Sequence, residues 1–208
     1  MGIEGLYARG HGGGREWKRR EDIEACLCAT QAVGPRADSQ SERKKGVSSM
    51  KVLVVYSTKT KNTLKLAEAL YDTIRYRKEL KSITDKPDPE DYGFIAVGFW
   101  IKDGKPDSAT MEFLPQIRDK EVFLFATHAS AKNSDSVHDA MKVAKELACN
   151  ARTIGTFSCQ GEIPAEMMEK AAAQSPQPPW LADAPSAKGH PDKKDIRELV
   201  DFFNKLTI

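Results

Sequence analysis

Five residues, Val52-Leu53-Val54-Val55-Tyr56, run without polar interruption into a loop of small hydroxyl and amide side chains, Ser57-Thr58-Lys59-Thr60-Lys61-Asn62-Thr63. An apolar, β-branched run that does not alternate fits a strand covered on both faces, as in parallel sheets with helices above and below. The stretch 62–76 then puts Leu64, Ala67, Leu70, Tyr71 and Ile74 on one helical stripe. A buried strand that delivers a polar loop to a helix start gathers backbone N–H groups where they can hold a phosphate.

The same alternation recurs from Met50 onward. Further strands are expected at 80–83, 94–99, 122–126 and 153–158, and helices at 108–117 and 134–148, the latter with Val137, Met141, Ala144, Leu147 and Ala148 inward. A short helix is expected at 165–173. Proline then breaks the pattern across 175–191, and a last helix carries Ile196, Leu199, Val200, Phe203 and Leu206 on one face. Five strands alternating with helices imply an open, doubly wound α/β sheet of parallel strands with helices on both faces. In such sheets ligands sit beyond the carboxyl ends of the strands. Three loops converge there: Ser57 to Thr63 after the first strand, Trp100 and Asp103-Gly104 after the third, and Thr127 to Asn133 after the fourth.

Charge and cysteine content exclude several classes. The chain has 32 basic and 30 acidic residues, nine and seven of them before Met50, so the remainder is balanced. No basic stripe or aromatic platform suggests a nucleic-acid partner. Cys26, Cys28, Cys149 and Cys159 form neither a disulfide framework nor a paired CxxC site, which suits a reducing cytoplasm. No apolar run approaches the roughly 18 residues of a membrane span. Residues 1–49 hold too few apolar positions for a core, and disorder is expected there. Lys45-Gly46-Val47 is encodable by a purine-rich run containing AAGGAG, a short spacer before Met50. The segment is therefore expected to be translated upstream sequence, the alternative being a functional tail, and residues 50–208 to be the folded domain.

The run from Tyr56 to Thr63 resembles the phosphate loop of flavodoxins, T/S-x-T-G-N-T. The resemblance covers 50–208 and implies a sheet in the order 2-1-3-4-5 and FMN as cofactor, its phosphate held by the hydroxyls and amides of Thr58, Thr60, Asn62 and Thr63, with Ser57, Lys59 and Lys61 in the same loop. It also implies Phe99, Trp100 and Ile101 at the flavin ring, Trp100 stacking on it, and Thr127, His128, Ala129 and Ser130 along its edge. Lys61 stands where the pattern has glycine, so its backbone is expected to avoid a glycine-only conformation. Ile101 stands where many flavodoxins have glycine, and a β-branched residue resists positive φ. The loop after strand four lacks the tyrosine that many members stack on the flavin, which leaves one face open or covered by the late segment carrying Trp180.

The Gly98-Phe99-Trp100, Cys159-Gln160-Gly161 and Gly189-His190-Pro191-Asp192 segments are similar to a bacterial flavodoxin-like subgroup, some of whose members are small companions of bilirubin reductases. The resemblance thus implies an electron-transfer protein between a reductase and a terminal acceptor enzyme, with tetrapyrrole (bilirubin) reduction as the narrower role. Two alternatives stand beside it: an NAD(P)H-dependent FMN reductase of a quinone-like or tetrapyrrole substrate, and an FMN-free interaction module on the same fold. No G-x-S-x-G elbow accompanies Ser57, Ser130 and His128, which argues against a hydrolase. His138 and His190 are expected to lack carboxylate partners at ligand spacing, and Cys159 to be a packing residue.

Overall fold

Strand β1 (Lys51–Tyr56) lies at the centre of the fold, and its four inner residues Val52 to Val55 are wholly buried. Leu53 and Val55 enter one core, Val52 and Val54 the other, which is why the run shows no alternation. The computed structural model describes residues 50–206. The expectation for residues 1–49 lies outside the described residues.

Around β1 stand β2 (Arg77–Ser82), β3 (Phe94–Lys102), β5 (Glu121–His128) and β6 (Arg152–Gln160), all parallel and in the order β2-β1-β3-β5-β6. With the short β4 (Lys105–Pro106) set aside, this is the flavodoxin-like order 2-1-3-4-5. β4 pairs antiparallel with the end of β3 and has no apolar run of its own to reveal it. Its hairpin tip is Asp103-Gly104, with φ of 50° and 71°, the double positive φ of a two-residue type I′ turn.

The edge strand β2 is not the apolar run expected at 80–83. It reads RKELKS, and its register with β1 runs from Lys51↔Arg77 to Tyr56↔Ser82. Glu79 binds Lys51 at 2.9 Å and Lys81 at 2.8 Å and accepts from the Tyr92 hydroxyl at 2.6 Å. Charge on an edge strand guards it against pairing with another chain, and it also hides the strand from hydropathy.

Helices cover both faces. α1 (Asn62–Thr73) and α5 (Lys193–Phe203) bury Leu66, Leu70, Leu199 and Phe203 on one face, with the Phe203 ring 5.3 Å from that of Phe123. α2 (Ser108–Phe113) and α3 (Asp135–Leu147) bury Met111, Phe113, Ala144 and Leu147 on the other. α1 stops three residues short of the expected Tyr76 because Ile74 turns extended, with ψ 129°. Leu66, not Leu64, fills its fully buried position. α2 passes into a 3₁₀ turn at Leu114–Gln116, entered through Pro115. After β6, α4 (Ala165–Ala172) and two 3₁₀ turns (Pro179–Ala182 and Ala184–Ala187) cross the carboxyl end of the sheet before α5.

Candidate functional site

The loop after β1 carries hydroxyls with very different duties. Ser57 donates its N–H to the Gly98 carbonyl at 2.8 Å and its hydroxyl to Asp107 at 2.9 Å. Asp107 in turn caps α2, accepting from the Thr110 hydroxyl at 2.8 Å, so Ser57 serves the frame. Asn62 donates to the Thr60 hydroxyl and to the Glu162 carbonyl, both at 2.8 Å. Thr63, 1 % exposed, shares a 2.9 Å hydrogen bond with Thr127. The Thr58 hydroxyl oxygen, by contrast, is buried without a hydrogen-bond partner. Helix geometry leaves the first N–H groups of α1 without intrahelical acceptors, and no side chain caps them. An uncapped helix start beside an unpaired hydroxyl is suited to an anion.

Lys61 precedes α1 with φ 64° and ψ 5°, in the left-handed region. This corrects the expectation that lysine would avoid the conformation of the glycine it replaces: the loop keeps the bend and lysine takes the strain, typically 1–2 kcal/mol for a residue with a Cβ. Its side chain is exposed.

Above the loop, Trp100 is half-buried at the end of β3, and Lys59 Nζ stands 5.5 Å from its ring centroid, within reach of a cation–π contact. Phe99 points the other way. Its side chain is wholly buried with Leu53, Val55 and Val97, because successive strand residues face opposite sides. Ile101 stays in β3, paired with Pro106. Gly98 has a steric reason: a Cβ there would sit 2.3 Å from the Phe125 ring and 3.0 Å from the Thr63 methyl, so glycine lets α1 start close to β3.

At the end of β5, His128 is 4 % exposed and its Nδ1 lies 2.9 Å from the Ser130 carbonyl. A carbonyl only accepts, so Nδ1 carries the proton and Nε2 is a bare acceptor, buried and without a partner. Burial pushes the imidazole down to about 4, against the smaller upward pull of the Ser130 carbonyl, Asp183 and Asp195.

These loops form one wall of a cleft of about 1050 Å³. Of the sequence-predicted residues, Lys59, Thr60, Asn62, Trp100, Ile101, Thr127, His128, Ala129 and Ser130 line it, whereas Ser57, Thr58, Lys61, Thr63 and Phe99 do not. The opposite wall runs from Gly161 and Ile163 through Met167, Lys170 and Ala171 to Pro178-Pro179-Trp180. Trp180 was legible in the sequence as a candidate cover, but the rest of this wall was not. Its first residue is clamped to the phosphate loop, for a Cβ on Gly161 would lie 2.6 Å from the Asn62 amide nitrogen.

The flavodoxin domain pattern matches residues 53–204. The chain belongs to the flavodoxin family. The flavodoxin-like domain-containing protein BilS of Clostridioides difficile (strain CD3) is 29% identical over 171 residues, covering 76% of this chain and 97% of BilS. Among solved structures, oxidised flavodoxin 2 from Bacillus cereus has 16% identity and a TM-score of 0.51, covering 73% of this chain and 94% of its own. A short-chain flavodoxin associated with a non-canonical PDU bacterial microcompartment has 14% identity and a TM-score of 0.53, covering 74% and 95%. At such identities the likeness to both structures is one of fold. The cofactor of the flavodoxin family is FMN, and the uncapped α1 start, the unpaired Thr58 hydroxyl and the Trp100 ring fit its phosphate and its flat ring.

The remaining candidates in this flavodoxin domain have structural duties. His190 does have carboxylate partners, contrary to expectation: its Nδ1 lies 2.5 Å from Asp195, and Asp192 is close by. Both carboxylates build the capping box of α5, Asp192 accepting from the N–H groups of Lys194 and Asp195, and Asp195 from that of Asp192. Cys159 is 1 % exposed in the core and burial pushes its thiol up, away from reactivity. Among the described residues no helix is long and apolar enough to cross a membrane.

Proposed function

We propose that this chain is an FMN-binding electron-transfer protein that serves a redox enzyme. The observation that carries the reading is the start of α1, uncapped and beside the buried, unpaired Thr58 hydroxyl, at one end of a cleft that also holds Trp100. The α1 N–H groups and the hydroxyls of Thr58 and Thr60 would hold the phosphate, with Lys59 and Lys61 adding positive charge. Trp100 would stack on the ring, and Thr127 to Ser130 would border its edge. FMN, when bound, supplies the redox chemistry; the protein orients it, limits water around it and leaves an edge reachable by a partner.

The partners in this reading are a reductase that supplies electrons and an acceptor enzyme that consumes them. Similarity to BilS, together with the Gly98-Phe99-Trp100 and Cys159-Gln160-Gly161 segments, supports the narrower assignment to a tetrapyrrole reductase such as one acting on bilirubin. Purified full-length chain mixed with FMN should give a shifted flavin spectrum and quenched flavin fluorescence, with much of the quenching lost in Trp100→Ala. An unchanged spectrum would sink the reading. Steady NAD(P)H consumption by the FMN-loaded protein alone would replace the carrier role with that of a self-sufficient reductase.

A further inference from the structure

The far wall of the cleft differs in chemistry from its near wall. The cleft measures about 1050 Å³, at the top of the roughly 300–1,000 Å³ range of pockets that hold one drug-sized ligand. The phosphate loop, Trp100 and the loop after β5 occupy its near side. Across from them Ile163, Met167, Ala171, Pro178, Pro179 and Trp180 present an apolar surface. Of the residues of α4 only Ala171 is fully buried, and the half-buried Ile163, Met167 and Trp180 belong to neither core cluster.

The segments that flank this wall on either side are tethered to the domain. Ala131 N–H donates to Asp183 at 2.8 Å, Gln160 to the Ser186 hydroxyl at 2.8 Å, and Glu162 N–H to the His190 carbonyl at 2.7 Å. A preformed apolar wall with an aromatic ring suits a flat ligand. Charge narrows the class. Lys59, Lys102, Lys105 and Lys170 line the cleft against Asp103 and Asp139. Lys170 pairs with Glu166, while Lys102 and Lys105, flanking the β3–β4 hairpin tip, have no ionic partner among the described residues. The phosphate loop lies at the α1 start, leaving these two lysines for a second anion.

We infer that the wall from Ile163 to Trp180, with Lys102 and Lys105, is a subsite for a second molecule bound beside FMN: planar, largely apolar and carrying an acidic group. The inference rests on the FMN reading and gives this domain a substrate-holding role beyond carrying electrons. A carrier that also holds its acceptor gains by proximity, because transfer then occurs within one complex.

The test uses full-length chain loaded with FMN and titrated with 8-anilinonaphthalene-1-sulfonate, a flat apolar anion whose fluorescence rises on binding. One saturable probe site is expected with FMN in place. Trp180→Ala should weaken the probe about tenfold, Trp180→Phe less than threefold, and Lys102→Gln/Lys105→Gln about fivefold with loss of salt dependence. FMN affinity should stay within about threefold in all of them. Displacement of the probe by FMN, or probe affinity unchanged in Trp180→Ala, overturns the subsite. Failure of FMN itself to shift its spectrum overturns the cofactor reading instead. Titration of the FMN-free chain then still reads the wall, by the same dependence on Trp180 or its absence.

Discussion

Two helices start at the same end of this sheet in opposite ways. α5 begins with its own cap closed: Asp192 and Asp195 form a capping box, and His190 binds Asp195. α1 begins with no side-chain cap, a lysine in the left-handed region and a buried hydroxyl without a partner. Both follow polar, turn-forming segments, but Asp192 is a favoured N-cap residue and Lys61 is not. The difference is one of purpose: a capped start is finished by its own chain, whereas an uncapped start at the mouth of a cleft is suited to finishing by an anion. The two buried polar atoms without partners among the described residues are Thr58 Oγ1, in the loop after β1, and His128 Nε2, at the carboxyl end of β5.

The largest effect expected from that contrast is on acid stability. His128 is neutral when folded, with a pKa near 4 against 6.5 for the free side chain. Between those values the unfolded chain binds a proton that the folded chain does not, so stability falls as pH drops from about 6.5 to 4. The loss approaches about 3 kcal/mol. Urea unfolding at pH 7 and pH 4 should show that much more loss in the parent than in His128→Gln; equal losses would show that His128 titrates normally.

At the α1 start, a carboxylate at position 61 should repel the phosphate. Lys61→Asp is expected to weaken FMN about hundredfold, about 2.7 kcal/mol, as read by flavin fluorescence. Asp192→Ala at α5 should leave FMN binding within about twofold. Similar FMN losses in both variants would erase the distinction between the two helix starts.

For stability the comparison runs the other way. Asp192→Ala removes a working cap and should cost about 1 kcal/mol, a Tm decrease of a few degrees by calorimetry. The smallest effect is expected from Lys61→Gly, which relieves the left-handed strain against a more flexible unfolded chain and should raise stability by up to about 1 kcal/mol. A Tm decrease in Lys61→Gly would mean that lysine sits there without strain.

Much of the near wall was legible because it is built from local signals. Val52 to Val55 announced a doubly covered strand, and the hydroxyl loop that follows it announced a polar lead into α1 through residues adjacent in the chain. The orientation of the Phe99 side chain follows from a local reason as well, since a strand residue next to a cleft tryptophan must face the opposite way. β2 was half-hidden because its edge position favours charge, and β4 because two residues carry no pattern. Lys61 shows the limit of residue-by-residue inference. Lysine alone argues against a left-handed bend, yet the packing of Gly98 against Phe125 and Thr63 fixes where α1 must begin, and the bend follows.

The sequence by itself determined the alternation of strands and helices, the polar loop at the first crossover and the aromatic residue at the end of β3, because each depends on neighbours a few positions apart. Only the tertiary structure decided which hydroxyls are spent on the frame and which are left unpaired, and that residues beyond Gly161 return to form the cleft's second wall. Those outcomes rest on contacts such as Asn62 with the Glu162 carbonyl, one hundred positions away. Such pairs leave no periodic trace in the chain, since burial and hydrogen-bond satisfaction are settled only when distant segments meet.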